Sequence, residues 1–456
     1  MVCRPSGSLI PSAVEQWAMK KRNKKDCTNR KKGKTNTRGA IKANAKRTLQ
    51  YLIAITVIPL ILFFLLEGLL TVVNYGYPVT FFIKKECEGQ YQYVANHKIG
   101  WRYFPKPVAP RLHFPGHFPA IKGDTTYRIF VFGESAVQGD VLGNFSFTYM
   151  LHEMLKAHYP DVHFEVINTG MVAISSWTVL QFVKEMVEYQ PDLFIIYCGN
   201  NEIVGPYGPG TVFASLGSRT FVKLQIWARS LKITQLLRSV RENIQQRLFK
   251  IRPVLWKGME MFLEKQIPVD DDSLPVAIGN FRQNIQEMVE LAQNHGVKVM
   301  VSTVASNLKD SPPFSSMHRD NLSERELSSW ETLYQQGVSL ERQDLFSKAI
   351  EIYHKAEKID AVYAELNFRL ANCYYHLGNY PKAKEYYIKT RDNDTLRFRP
   401  SGAVNQVIKQ DYARQPIENF TQFVDIETSF AEASPEGIPG ENLFYDHVHL
   451  NIPGNY

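Results

Sequence analysis

Five short apolar runs recur along the chain after about residue 125, and amphipathic segments of helical length lie between them. The runs cover residues 128–132, 164–168, 193–198, 297–304 and 421–425. The segments between them predict helices over about 147–158, 177–189 and 277–295. Strands that are apolar throughout and alternate with helices are typical of a parallel sheet covered on both faces. Sites in such sheets form at the carboxyl ends of the strands.

A longer apolar run, residues 51–73, precedes this pattern and contains a single charged residue, Glu67. About 20 apolar residues are needed to cross a bilayer, so we predict a transmembrane signal anchor over residues 49–74. A buried core helix and a cleaved signal peptide are the alternatives. Soluble helices of this length usually have a polar face, and no clear cleavage site follows the run.

Positive charge is concentrated before this anchor. The protein has 456 residues and a net charge of +8, yet residues 1–48 hold 14 Lys and Arg against 2 Asp and Glu, which leaves −4 for the remainder. This tail lacks apolar periodicity, so we predict that it is disordered and cytoplasmic, with the chain from about residue 75 outside the cytoplasm. Nucleic-acid binding is the alternative role of the tail, but basic juxtamembrane segments also attract anionic lipid, and we expect no nucleic-acid partner.

Two further segments depart from the α/β pattern. Residues 75–125 are rich in Pro and aromatic residues and predict an irregular arm. Residues 213–275 are mostly helical and basic, and they have two interpretations. A cap over the site is favoured, because the apolar positions recur at helical spacing and need a packing surface; a second membrane-surface element is the alternative.

Residues 325–395 contain a repeat with a period of 34, in which Ala349, Tyr353 and Ala356 are followed by Ala383, Tyr387 and Thr390. This period and this pattern of small and aromatic residues are typical of tetratricopeptide repeats. The two visible units are fewer than the ~3 that usually stand alone, so we expect them to pack on the main domain. They form either a docking groove for a protein partner or a structural lid.

Polar residues stand at the predicted strand ends. Ser135 follows the first strand, Gly170 the second and Asn201 the third, and Asp446 and His449 form an Asp-x-x-His motif near the carboxyl terminus. This set suits acyl transfer, because a His accepts the Ser proton, an Asp orients the imidazole, and amides hold the oxyanion. The five cysteines form no CxxC motif and the histidines have no metal-ligand spacing, so we expect no metal and no cofactor.

The order of these motifs resembles that of the SGNH/GDSL hydrolase superfamily, and the whole layout resembles a membrane-anchored bacterial subgroup that carries tetratricopeptide repeats. The resemblance covers the chain from about residue 126 onward and implies a flavodoxin-like, three-layer α/β/α fold. It implies Ser135 as nucleophile, His449 as base and Asp446 as the acid that orients the base. It also implies an oxyanion hole made of the Ser135 N–H, the Gly170 N–H and the Asn201 side chain.

Several positions depart from the family pattern. Glu134 and Glu202 stand where the family usually has Asp, and Ala173 stands where a further Gly is frequent. The family usually continues into a closing helix after the catalytic His, whereas this sequence ends at Tyr456. A truncated sequence is therefore one interpretation of its end.

Neighbouring polar residues have a second interpretation beside the functional one. His447 is either a participant or a solvent-facing neighbour, and the i,i+3 spacing favours the other histidine of the motif. Asn200 either contributes to the site or caps the following turn. Residues 205–210 either shape an acyl pocket or form a tight Gly/Pro loop, and Ser306 and Asn307 are either substrate contacts or loop residues.

These inferences predict a single-pass, membrane-anchored serine esterase that acts on acyl esters, such as acylated polysaccharides, in the periplasm or at the cell surface of a bacterium. The predicted segments are a basic tail (1–48), the anchor (49–74), the arm (75–125), a first hydrolase part (126–320), the repeats (325–395) and a second hydrolase part (396–456). An O-acyltransferase or deacetylase acting on an envelope or exported polysaccharide is the enzyme alternative. A repeat-bearing scaffold with a vestigial site is the third.

Overall fold

The computed structural model describes residues 53–109, 116–139, 146–213, 217–249, 258–414 and 420–456, together with residues 20, 50 and 51. The chain divides into two compact units, Met1–Gly76 and Tyr77–Tyr456, and each is described by itself. The predicted basic tail therefore lies almost entirely outside the described residues.

The first unit contains one long helix, α1 (Ile53–Val72), of 20 residues with a mean hydropathy of 2.6. At about 1.5 Å per residue it is about 30 Å long, the thickness of a bilayer's hydrocarbon core. Most of its large apolar side chains are exposed. Within the described chain it is the one helix that is long and apolar enough to cross a membrane.

The second unit opens with a three-stranded antiparallel sheet made of β1 (Phe82–Cys87), β2 (Gln90–Ala95) and β3 (His117–Pro119). The prediction of an irregular arm over residues 75–125 is therefore wrong for much of its described part. Several of its aromatic residues are buried in the main core, where the Phe118 ring lies 5.7 Å from that of Phe130. The two longer strands escaped prediction because they contain many polar residues (FIKKEC and QYQYVA) and lack the continuous apolar runs of the central sheet.

The central sheet has five strands in the order β5-β4-β6-β7-β8, and every neighbouring pair is parallel. Their bounds are Thr126–Gly133 for β4, His163–Asn168 for β5, Leu193–Tyr197 for β6, Lys298–Ser302 for β7 and Thr421–Val424 for β8. This is the flavodoxin-like order, so the predicted fold class is confirmed. Each strand lies within two residues of its predicted position at either end, because a strand buried on both faces is apolar throughout.

Helices cover both faces of this sheet. The α-helices described in this unit are, in chain order, α2 (Ser135–Gln138), α3 (Phe147–His158), α4 (Ser176–Met186), α5 (Arg219–Ser230), α6 (Lys232–Leu248), α7 (Ser273–Asn294), α8 (Glu324–Glu341), α9 (Phe346–Glu357), α10 (Ala364–His376), α11 (Tyr380–Asn393), α12 (Gly402–Tyr412), α13 (Ile426–Glu432) and α14 (Ile452–Asn455). Helices α3 and α13 lie over the face that carries Ile195 and Tyr197. Helices α4, α7 and α12 pack against one another on the other face.

The predicted helical insertion at 213–275 contains α5 and α6, which a single residue, Leu231, joins. Arg219 of α5 stacks its guanidinium 4.8 Å from the Trp177 ring and donates from Nη1 to Asn284 Oδ1 at 2.7 Å. Helix α5 therefore packs on α4 and α7, and the predicted role of the insertion as a cap over the site stays a prediction.

Helices α8 to α11 form two helical hairpins with their own core. The six residues of the 34-residue pattern are all buried, and a Cβ on Gly337 of α8 would lie 2.2 Å from Tyr353 Cε1 of α9. The 34-residue period thus reflects the packing of small residues against large aromatic residues within the helical hairpins.

Candidate active site

Ser135 is the first residue of the short helix α2, two residues after the carboxyl end of β4, an interior strand of the sheet. The first amide of a helix has no intrahelical acceptor, so the Ser135 N–H is left for another partner. The strand ends close to β6 because residue 133 is Gly: a Cβ there would lie 2.0 Å from Tyr197 O. Ser135 is 7% exposed, so the surrounding core holds it firmly in place.

Glu134 connects this turn to the end of β6. Its Oε1 accepts hydrogen bonds from Gly199 N at 2.9 Å and from Cys198 Sγ at 3.3 Å, while its buried Oε2 has no partner in the described part of the chain. Burial and, next, the nearby Glu202 raise the pKa of Glu134 from 4.5 to about 8. The side chain is therefore mostly protonated at neutral pH, and it reaches the loop after β6.

Glu202 connects the same loop to the start of α4. Its two oxygens accept from the backbone N–H and the hydroxyl of Ser176, each at 2.7 Å. The hydroxyl in turn accepts from Asn284 Nδ2 of α7 at 2.9 Å. Burial raises the pKa of Glu202 to about 7. Glu134 and Glu202, the two glutamates that stand in place of the expected Asp, thus each have a defined structural role in this fold.

Asn168, at the end of β5, holds α2 in place. Its Nδ2 donates to Val137 O at 2.7 Å and to Thr148 Oγ1 at 2.9 Å, and its Oδ1 accepts from Gly170 N at 2.8 Å. The Gly170 N–H predicted for the oxyanion hole is therefore already hydrogen-bonded. A Cβ on Gly170 would lie 2.3 Å from Gln138 N, so this Gly is required by the close approach of β5 to α2.

The loop after β6 carries two asparagines with different surroundings. Asn201 is half-buried, its C=O accepts from Gly205 N at 2.7 Å, and its side chain has no hydrogen bond to any described residue. Asn200 is 2% exposed and its amide is likewise without a partner in the described structure, so it does not cap a surface turn. On the neighbouring loop Ala173 has a φ of +59°, a conformation that favours Gly, which accounts for the Gly frequent there in the family.

Asp446 and His449 form a hydrogen-bonded pair. His449 Nδ1 lies 2.6 Å from Asp446 Oδ2, and Asp446 Oδ1 accepts from the backbone N–H of His449 at 2.9 Å. Partial burial alone would raise the pKa of Asp446, but hydrogen bonds from His447 and His449 outweigh burial and hold it well below its ordinary value. The carboxylate is therefore ionised, and His449, 36% exposed at its side chain, keeps its second ring nitrogen free of described partners.

His447 is not the solvent-facing neighbour that was one of its two interpretations. Its ring is largely buried, lies 5.1 Å from the Phe314 ring and places Nδ1 3.3 Å from Asp446 Oδ1. Burial lowers its pKa. Asn307, which follows β7, donates from Nδ2 to Asp446 O at 3.1 Å and from its backbone N–H to His447 O at 3.0 Å. Asn307 therefore positions the Asp-x-x-His loop, a role that sequence reasoning missed because its partner lies 139 residues away.

The nucleophile and the pair are not joined by a hydrogen bond in the described structure. Two sets of side chains have ligand atoms within 4.8 Å of one another: Asp446 with His447 and His449, and Glu134 with Cys198 and Glu202. The imidazoles of the first set already hydrogen-bond its carboxylate, and the second set lies in the core. The first set holds an imidazole in a fixed orientation beside a carboxylate, which is the requirement for general base catalysis.

Comparison with protein-family models matches residues 365–394 to the tetratricopeptide repeat, which confirms the predicted repeat over α10 and α11. A search of the curated proteins finds no match. The solved structures similar to this chain include a GDSL-like lipase from Bacteroides thetaiotaomicron VPI-5482, with 10% identity over 74% of this chain and 85% of that chain and a TM-score of 0.29.

Two acetyl xylan esterases are also among them. Axe2 from Geobacillus stearothermophilus has 12% identity over 72% of this chain and 89% of that chain, with a TM-score of 0.30. A second has 12% identity over 72% of this chain and 93% of that chain, also with a TM-score of 0.30. At such low identities and TM-scores the roles of single residues rest on the geometry of this chain. The chain thus combines a flavodoxin-like parallel sheet, similarity to GDSL-like lipases and acetyl xylan esterases among solved structures, and a tetratricopeptide repeat.

Proposed function

We propose that this protein is a serine esterase that hydrolyses acyl esters, with Ser135 as nucleophile, His449 as general base and Asp446 as the residue that orients His449. The observation that carries the proposal is the 2.6 Å contact between Nδ1 of His449 and the ionised Asp446. It leaves Nε2 as the basic nitrogen. The interior strand β4 presents Ser135 at its carboxyl end, where sites form in such folds.

In the proposed reaction, His449 Nε2 accepts the proton of the Ser135 hydroxyl as the oxygen attacks the ester carbonyl. The imidazolium then protonates the leaving alcohol, and an acyl-enzyme remains. Water, deprotonated by the same nitrogen, attacks this acyl group and releases a carboxylic acid and free Ser135. Asp446 stays ionised throughout and stabilises the imidazolium.

The Ser135 N–H and the Asn201 amide are the proposed oxyanion donors, because neither has a hydrogen bond to a described residue that competes. The Gly170 N–H joins them only when its hydrogen bond to Asn168 Oδ1 is shared or broken. This arrangement predicts an oxyanion hole with two hydrogen-bond donors before substrate binds. The Gly170 N–H becomes the third donor after a small shift of Asn168.

The proposed location is the outer side of a membrane, with α1 as a single-pass anchor and the basic tail in the cytoplasm. The length and hydropathy of α1 and the charge of residues 1–48 support it. The proposed substrates are acyl esters, including acylated polysaccharides, and the repeats are the proposed contact for a protein partner.

The test is labelling of the full-length protein with a fluorophosphonate, which reacts with activated serines. We expect labelling that is absent in S135A, at least about 100-fold slower in H449A and unchanged in S302A, a matched change of a buried serine within β7. Undiminished labelling of S135A would refute the assignment. Absence of labelling in the folded wild type would favour the scaffold, and an added sugar acceptor that captures the acyl group would identify a transferase.

A further inference from the structure

The outward faces of α5 and α6 carry large apolar side chains that the protein leaves exposed. They are Phe221, Leu224 and Trp227 on α5 and Leu237, Val240, Ile244 and Leu248 on α6. Leu237 is 62% and Leu248 is 74% exposed. Single exposed apolar residues need no explanation, but a series on one pair of helices marks an interaction surface.

On α6 these residues follow helical periodicity. Leu237, Val240, Ile244 and Leu248 are spaced by three or four residues, so they line one face. Gln235 is buried on the other side of the helix, against the domain. One side of α6 is therefore packed on the protein, and another side exposes a stripe of apolar residues.

The charge of this helical pair has one sign. From Arg219 to Leu248 the chain contains seven Lys and Arg and one Glu. Some of these cations hold the pair on the domain; Arg229 donates to Tyr103 O and Arg238 to Trp101 O. Arg241 and Arg247 instead are exposed beside the apolar stripe, and neither has an ion-pair partner among the described residues. An apolar stripe flanked by Arg matches an anionic lipid surface.

The second unit begins with a residue that contacts α6. Tyr77 is held on α6 by Gln235, which accepts from Tyr77 N at 2.9 Å and donates to Tyr77 O at 3.2 Å, and by Lys232, which donates to Tyr77 O at 3.0 Å. Only residues 73–76 separate this point from Val72, the last residue of α1. So short a connection spans at most ~18 Å.

We propose that the outer faces of α5 and α6 bind the anionic lipid surface of the membrane that holds α1. The proposal rests on the membrane anchoring in the proposed function, but not on the esterase activity. The apolar stripe inserts between headgroups while Arg241 and Arg247 contact lipid phosphates. The tether and the second contact together fix the orientation of the domain, so that the site faces a constant direction relative to the membrane.

The experiment uses residues 77–456, because every buried core cluster of the described chain is formed by residues from Phe81 onward and the fragment contains its own core. Flotation with vesicles measures binding to phosphatidylcholine alone and to phosphatidylcholine mixed with phosphatidylglycerol. We expect binding to the anionic vesicles that weakens with added salt and is at least about tenfold weaker for the triple variant L237S/I244S/L248S. R241E/R247E should remove the preference for anionic lipid.

The matched control is L377S, which removes an exposed Leu from the repeats and should leave binding unchanged. Equal binding of wild type and triple variant, or no binding of the wild type to anionic vesicles, overturns the proposal. Self-association of the wild type that the triple variant abolishes, without vesicle binding, would assign the face to a second copy instead. A second experiment places the full-length protein in brominated lipid, which quenches the fluorescence of tryptophans that contact it. Quenching should be weaker in W227F than in the wild type, and equal quenching of the two proteins also overturns the proposal.

Discussion

The pH dependence of stability should reveal the buried Glu134. Its pKa is about 8 in the folded protein against an ordinary value of 4.5, because burial and then Glu202 disfavour the charged form. Between these two values the folded protein keeps a proton that the unfolded chain has released. The free energy of unfolding therefore falls as pH rises through this range. The change E134Q replaces the protonated acid by a neutral group of the same shape and removes this dependence.

The size of the effect follows from the difference of about 3.5 pH units between the two pKa values. At about 1.4 kcal/mol per pH unit, full ionisation of Glu134 costs on the order of 5 kcal/mol. About 4 kcal/mol of this difference develops between about pH 5 and about pH 8.5. Because Gln keeps an acceptor for the N–H of Gly199, E134Q should match the wild type near pH 5 and exceed its stability in mild alkali.

The assay is denaturant unfolding of the purified protein in detergent at both pH values, for wild type and E134Q. The exposed Glu351 of α9 supplies the control, E351Q, which should shift stability equally at both pH values. Difference infrared spectroscopy gives an independent readout, since the carbonyl stretch of the protonated carboxyl should weaken in E134Q. A stability difference between wild type and E134Q that is the same at both pH values would refute the reasoning.

Three further changes test the packing around the site and in the repeats. N168A removes the hydrogen bonds that hold α2 and frees the Gly170 N–H, so unfolding should become easier by about 1–3 kcal/mol while kcat for an ester substrate falls with little change in KM. G170A places a Cβ 2.3 Å from Gln138 N; about 1–3 kcal/mol of stability should be lost, together with fluorophosphonate labelling. G337A places a Cβ 2.2 Å from Tyr353 Cε1 and should lower thermal stability by a similar amount without changing labelling, and unaltered melting would contradict the packing described.

Local sequence patterns were sufficient to locate the five strands of the central sheet, the long apolar helix and the repeat. The run around Phe130 predicts a buried strand because both faces of that strand meet other layers. The 34-residue period predicts the hairpins because each repeat buries the same small and aromatic residues. The motif spacing also selected Ser135, Asp446 and His449, and the structure brings the last two into contact at 2.6 Å.

The environment of these residues could not be predicted from local sequence, because it depends on contacts between residues that are far apart in the chain. Asn168 holds Val137 and also occupies the Gly170 N–H, and neither relation has a signature in local sequence. Asn307 was expected to be a loop residue or a substrate contact, yet it positions the Asp-x-x-His loop from 139 residues away. The aromatic residues of 75–125 predicted an arm, because composition does not report that Phe118 packs on the central sheet.

The sequence alone determined where apolar segments lie, their period and the order of the polar residues at their ends, since these depend on neighbours close in the chain. Only the tertiary structure decided which polar groups are desolvated and which apolar groups stay exposed. It buried Glu134 and Glu202 and thereby raised their pKa values, and it turned Leu237 and Leu248 outward on α6. The physical reason is that burial depends on which distant segments meet, and the same amphipathic pattern packs on a protein core or on a membrane according to the surface that it faces.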